Sequence, residues 1–138
     1  MKTGEQIEVF FFKTTADAQT LFLLMKRVPD RGGFWQPLTG GVEEGESLEQ
    51  TVRREAAEET GIKQLVSVID TGFNYAFEDH GRQHVEFVYG AEVNPDTEIT
   101  LSSEHCEYRW TNKEEAVSLL KWPGNIEGLK WLCQKLDL

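Results

Sequence analysis

The residues in this chain best suited to chemistry are three glutamates, Glu55, Glu58 and Glu59, crowded into a short helical stretch with Arg54 directly before them. On a 3.6-residue wheel, Glu55 and Glu59 fall on the same stripe as Leu48, Val52 and Ala56, and Glu58 lies beside it. That stripe is the side that packs inward. Glu49, Gln50, Arg53, Ala57 and Thr60 face outward, with Glu49 and Arg53 spaced for an exposed ion pair. Like charges three and four residues apart repel, and burying them unpaired costs more still, so a cation must compensate. Grouped hard oxygen donors suit Mg²⁺, with Mn²⁺ as a substitute. A solvated acidic helix with no chemistry would show the same letters, so the stripe and the wider spacing carry the argument.

The elements that must position these carboxylates are legible around them. Ser47 followed by Gln50 is a capping box that starts the helix at about Ser47, and Gly61 supplies its stop. A glycine-rich, acidic turn, residues 40–46, leads into it. Residues 5–13 and 20–27 read as strands covered on both faces, joined by a turn within residues 14–18. Lys26 and Arg27 end the second strand. They are either solvated or aimed at phosphate, and Arg27 is the better candidate for phosphate. Residues 28–35 form a loop ending in Phe34 and Trp35, an aromatic pair for core packing or for stacking on a substrate ring.

Farther along, residues 65–77 and 83–93 pair as strands around a turn at residues 78–82. Phe73, Tyr75 and Phe77 share one face, as do Phe87 and Tyr89, and core packing is the first expectation for them. His80 and His84 lack metal-ligand spacing and read as surface residues. Residues 94–103 are loop, and a strand begins within 104–110. His105 and Cys106 are neighbours on an extended chain and point apart, which excludes a nucleophile–base pair. Asn112 with Glu115 forms a second capping box. A final helix buries Ile126, Leu129, Leu132 and Leu136, with Gly128 allowing close packing and Trp122 and Trp131 covering the sheet.

Length and charge bound the function. The 138 residues suit one compact domain spanning 1–138. A formal net charge of −10 argues against nucleic acid or an anionic membrane as partner. Cys106 and Cys133 are far apart, fit no CxxC pattern and read as reduced core thiols, which suits a cytosolic, cytoplasmic setting. No long apolar run or signal peptide is expected.

The spacing from Gly40 through Glu46, Arg54–Glu55 and Glu58–Glu59 to Gly61–Ile62 resembles the Nudix box at every fixed position, with Ala56 a small occupant of an aliphatic slot. The segment FWQPLTGGVEEGE, residues 34–46, resembles the dihydroneopterin triphosphate pyrophosphatase branch of that family. The resemblance implies an α/β fold, a Nudix-type αβα sandwich around a mixed β-sheet. It also implies cleavage of a diphosphate bond in a nucleoside triphosphate or pteridine triphosphate, giving monophosphate and pyrophosphate. Glu55, Glu58 and Glu59 are then expected to hold Mg²⁺. The neighbourhood of Glu104 resembles the segment after the box in which a distal glutamate joins the metal, with Glu107 as fallback. Either Glu104 or Glu55 is the general base. Arg54 pairs with Glu46 to aim the carboxylates. Arg27, Trp35, Thr39 and Gly40 are the expected substrate contacts, Thr39 and Gly40 through side chain or backbone. A dinucleoside polyphosphate hydrolase and a catalytically silent nucleotide-binding module share the box and remain alternatives. The chain is expected to act as a monomer or homodimer.

Overall fold

The computed structural model describes residues 2–138. Its centre is β1 (Lys2–Thr14), whose apolar run is buried on both sides: Ile7, Val9, Phe10 and Phe11 have no exposed surface. Covering a Val or Phe side chain stabilises by roughly 1.5–3 kcal/mol, so such a strand demands a layer on each face. Around it run β2 (Thr20–Arg27), β3 (Trp35–Gln36), β4 (Leu38–Glu43), β5 (Ser67–Asp79), β6 (Arg82–Glu92) and β7 (His105–Thr111). The seven strands form one sheet in which β1 lies parallel to β6 and antiparallel to both β2 and β4. β7 pairs with β2, and β5 with β6, both antiparallel. The sheet is therefore mixed, as expected.

Among the described residues, three α-helices fill the two layers: α1 (Leu48–Thr60), α2 (Lys113–Leu119) and α3 (Pro123–Lys135). Ile7, Val9 and Phe11 pack with Val52 and Ala56 of α1 on one face. Phe10 and Phe12 pack with Ala116 of α2 and Leu129 and Leu132 of α3 on the other. The alternation of side chains along β1 thus assigns each helix its side, and the result is the expected αβα sandwich.

Several expectations need correction. The β5–β6 connection is tighter than five residues: Asp79 pairs with Arg82, and His80 and Gly81 both adopt positive φ (52° and 76°), the geometry of a two-residue hairpin turn. His80 is exposed, but the His84 ring stacks on Phe77 at 5.1 Å. Thr60 is buried rather than outward, because its hydroxyl donates to the Ala56 carbonyl and the loop after β6 closes over it. Cys133 is buried as expected, whereas Cys106 is exposed, standing where the β2–β7 register slips. Trp131 stacks on Phe73 at 5.4 Å, but Trp122 leaves the sheet and meets Phe34. Asn112 caps α2 by accepting from the Glu115 N–H, while the Glu115 carboxylate turns to Arg109 instead of closing the box.

Candidate functional site

The site is built where α1 crosses β4. Ser47 and Gln50 close both halves of the capping box, and Gly61 ends the helix in the left-handed region, so the register of α1 is set at each end. That register turns Glu55 inward onto β4. A Cβ placed on Gly40 would lie 2.5 Å from Glu55 Cγ and 2.7 Å from its Oε2, so only glycine lets the carboxylate rest on the strand backbone. Glu55 is buried, Glu59 half-buried and Glu58 exposed, which matches their positions on and beside the apolar stripe.

Arg54 organises the cluster. Its Nε and one terminal nitrogen donate to the two Glu46 oxygens at 2.7 and 2.9 Å, the fork geometry that suits guanidinium to carboxylate. The same side chain donates to the Gly41 carbonyl (2.9 Å), to Glu55 (2.9 Å) and to Glu58 (3.2 Å). Glu46 is itself held by the Thr51 hydroxyl and the Glu43 N–H, at 2.7 and 3.1 Å. The Arg54 hydrogen bonds hold the Glu46 carboxyl down at about 2, well below the usual range. Arg54 in turn stays more firmly charged than usual, first through Glu46. Thr51 was silent in the sequence, since a threonine on a helix carries no distinguishing pattern.

The last turn of α1 is finished by the loop after β6. Thr100 N–H donates to the Thr60 carbonyl (2.9 Å) and Ser102 N–H to that of Glu59 (3.0 Å), satisfying groups a helix end leaves open. This docking brings the Ser102 hydroxyl onto the Glu59 carboxylate, to which it donates a short hydrogen bond. Ser102 Oγ also accepts from the Glu104 N–H at 3.3 Å, so one serine ties two of the candidate glutamates together. Burial raises Glu59 above the usual carboxylate range, opposed by the Ser102 hydrogen bond and reinforced by the charge of Glu104. Burial also raises Glu55, with the Arg54 hydrogen bond opposing it and Glu58 and Glu59 adding to it. Such an anionic group is short of positive charge even with Arg54 in place.

A cavity of about 530 Å³ opens at this point. Glu55, Glu58, Glu59, Glu104 and Arg54 line it, as do Thr39, Gly40 and Arg27. Arg27 lines the same cavity as the carboxylates, and its Nε is buried without a hydrogen-bond partner among the described residues. Gly41 and Glu43, from the acidic turn, and Gln6, which carried no sequence signal, complete the wall. Trp35 does not join this lining. It lies between Lys26 and Arg109, 5.9 and 5.1 Å from its ring, and packs on the second core cluster. Glu107, the fallback for Glu104, is exposed opposite Lys26 and also lies outside the cavity. His105 is buried against Gln36 while Cys106 faces away, as their adjacency required.

The donor set can be tested for a divalent cation. Among the described residues, no three carboxylate, imidazole or thiolate groups converge on one point as they stand. The cause is visible: Arg54 draws Glu55 and Glu58 to itself, and Ser102 holds Glu59. The chemistry nonetheless fits, because four hard carboxylates share one cavity and mutual repulsion with burial raises two of them.

The NUDIX domain profile matches residues 5–132. Among curated relatives, an octanoyltransferase of Myxococcus xanthus is 39% identical over 112 residues, 78% of this chain but only 31% of that protein, so the chain spans about a third of its length. The asymmetrical bis(5'-nucleosyl)-tetraphosphatase of Mus musculus is 37% identical over 124 residues, 85% of this chain and 84% of the relative. Among solved structures, the dihydroneopterin triphosphate pyrophosphohydrolase of E. coli superimposes with a TM-score of 0.81 at 26% identity, covering 97% of each chain. The chain belongs to the NUDIX domain family. Its class is that of the Nudix hydrolases, which act on pyrophosphate bonds in nucleotide substrates.

Proposed function

We propose that this chain, as one catalytic domain, hydrolyses a diphosphate bond in a nucleoside triphosphate or the related pteridine triphosphate, releasing monophosphate and pyrophosphate. The observation that carries the reading is the shared cavity: Arg27 and the four glutamates face the same 530 Å³ space, a volume within the range of small-molecule sites. Glu55, Glu58, Glu59 and Glu104 would hold Mg²⁺, with Mn²⁺ as substitute. When bound, the cation neutralises phosphate oxygens and lowers the pKa of water. Arg27, which lines the cavity, takes the polyphosphate by charge-assisted hydrogen bonds from its guanidinium. Thr39 and the Gly40 backbone border the same space and contact the substrate. Arg54, clamped to Glu46, keeps the carboxylates of α1 aimed into the cavity. Either Glu55 or Glu104 accepts the proton of the attacking water. Catalysis is then mainly positioning and charge stabilisation.

A second substrate reading is favoured by one observation, the 84% coverage of the mouse tetraphosphatase: a dinucleoside polyphosphate cut by the same residues. The two free cysteines suit a cytosolic protein. We take it to act as a monomer or homodimer. No described helix is long and apolar enough to cross a membrane.

Magnesium-dependent release of pyrophosphate from a panel of nucleotides, dinucleotides and dihydroneopterin triphosphate tests the reading against Glu59→Gln. The variant is expected to lose at least about 100-fold in kcat/KM. Phosphorus NMR in labelled water then identifies the bond cut. Equal rates for the two proteins, or no product from any substrate, would leave only a binding module.

A further inference from the structure

Trp122 is out of place for its type. It is 47% exposed at the N-terminus of α3, although tryptophan is usually well covered. It is also firmly held. Before it, Leu120 is buried and bridged to Trp35. After it, the Gly124 backbone presses on the Tyr75 ring so closely that an added Cβ would lie 2.5 Å from Cζ, and the Asn125 amide donates to Glu8 at 2.8 Å. The indole and the neighbouring Phe34 ring together present an aromatic surface that is partly open to solvent.

The charges around it say by what. The Lys121 ammonium stands 4.8 Å from the Trp122 ring and 5.7 Å from that of Phe34. Phe34 meets Trp122 edge to face at 5.7 Å. The Arg27 guanidinium lies 6.0 Å from the same Phe34 ring. Arg27 also lines the cavity of the glutamates. Cation and aromatic ring thus alternate from the cavity to the exposed indole, in a chain whose net charge is −10. An inorganic anion would have no use for the rings, and an apolar peptide would bury the lysine. A flat heterocycle joined to a polyphosphate satisfies both.

We propose that Trp122, with Phe34 and Lys121, is the subsite for the aromatic heterocycle of the substrate, the ring stacking on the indole while Lys121 and Arg27 follow its phosphates toward the glutamates. This rests on the polyphosphate reading of the cavity and adds to it the group recognised outside the cavity. Stacking on an aromatic platform is sequence-tolerant, so the subsite admits purine or pteridine and selects for the presence of a ring rather than its identity.

The test measures binding rather than turnover, by calorimetry with Mg²⁺. The ligands are α,β-methylene ATP and inorganic tripolyphosphate, titrated into the wild type, Trp122→Ala and Trp122→Phe. Trp122→Ala is expected to weaken the nucleotide analogue about tenfold and leave tripolyphosphate unchanged, and Trp122→Phe to restore most of the loss. Equal loss for both ligands, no loss for either, or no binding of the analogue by the wild type overturns the proposal. Retained pyrophosphate release with a nucleotide affinity indifferent to Trp122 defeats this subsite alone. Ring-dependent binding without any hydrolysis defeats the catalytic reading and leaves the subsite standing.

Discussion

Replacing Glu8 by glutamine is expected to make the protein more stable at neutral pH, not less. Glu8 lies on β1 with no exposed surface, against Asn125 and Gly128 of α3. Its Oε1 accepts from the Tyr75 hydroxyl at 2.6 Å and the Asn125 amide at 2.8 Å, while Oε2 is buried without a partner against Gly128. Burial pushes the carboxyl from the ordinary 4.5 up to about 7, against the pull of those two hydrogen bonds. Glu86, opposite Tyr75 in the sheet, is pushed well above the usual range by burial and by the charge of Glu8. Between the two Glu8 values, the folded chain keeps a proton that the unfolded chain releases. The Glu8 contribution is therefore fully present below the unfolded value and is lost as pH rises through the folded one. A span from 4.5 to about 7, at 1.36 kcal/mol per unit, amounts to ~3 kcal/mol. Glutamine retains an Oε1 for both hydrogen bonds and carries no charge. Urea unfolding of both proteins from about pH 4 to about pH 8 reads the difference, and the variant is expected to gain ~3 kcal/mol on the wild type across that interval. Parallel stability profiles would show that Glu8 does not ionise in this window and would refute the argument.

Two further substitutions test the cavity. Gly40→Ala sets a methyl 2.5 Å from Glu55 Cγ, and is expected to displace that carboxylate and lower kcat at least about 100-fold with an unchanged circular dichroism spectrum; wild-type kcat would show that Glu55 need not rest on β4. Ser102→Ala removes the donor to Glu59 and the acceptor of the Glu104 N–H, and is expected to weaken Mn²⁺ binding about 10-fold or more by calorimetry with the metal alone, with Ser102→Thr recovering part of it; unaltered metal affinity would reduce Ser102 to a loop residue.

What was legible in advance lay within short stretches of chain. The helix limits follow from Ser47, Gln50 and Gly61, whose effects reach only a few residues. The inward turn of Glu55 follows from helical period, and the Arg54–Glu46 pair was implied by the family resemblance of the box. Where the reading failed, the deciding contact came from elsewhere in the chain. Trp35 sits beside Phe34 in sequence, yet β3 pairing with Lys26 turns it to the second core cluster and away from the cavity. Thr60 fell on the outward arc of the wheel until the loop bearing Thr100 covered it.

The amino-acid order by itself determined that a capped helix would carry a line of carboxylates, that buried strands would need layers on both sides, and that a divalent cation suited the acidic cluster. Those conclusions rest on periodicity and covalent geometry, which act locally. Only the tertiary structure decided that Ser102 would hold Glu59 from 43 residues away, that Glu8 would meet Asn125 from 117 residues away, and that Arg27 would line the same cavity as the glutamates. Such meetings depend on strand register and on how loops close over helix ends. No local pattern encodes them, because the chain reaches them only when the whole core packs at once.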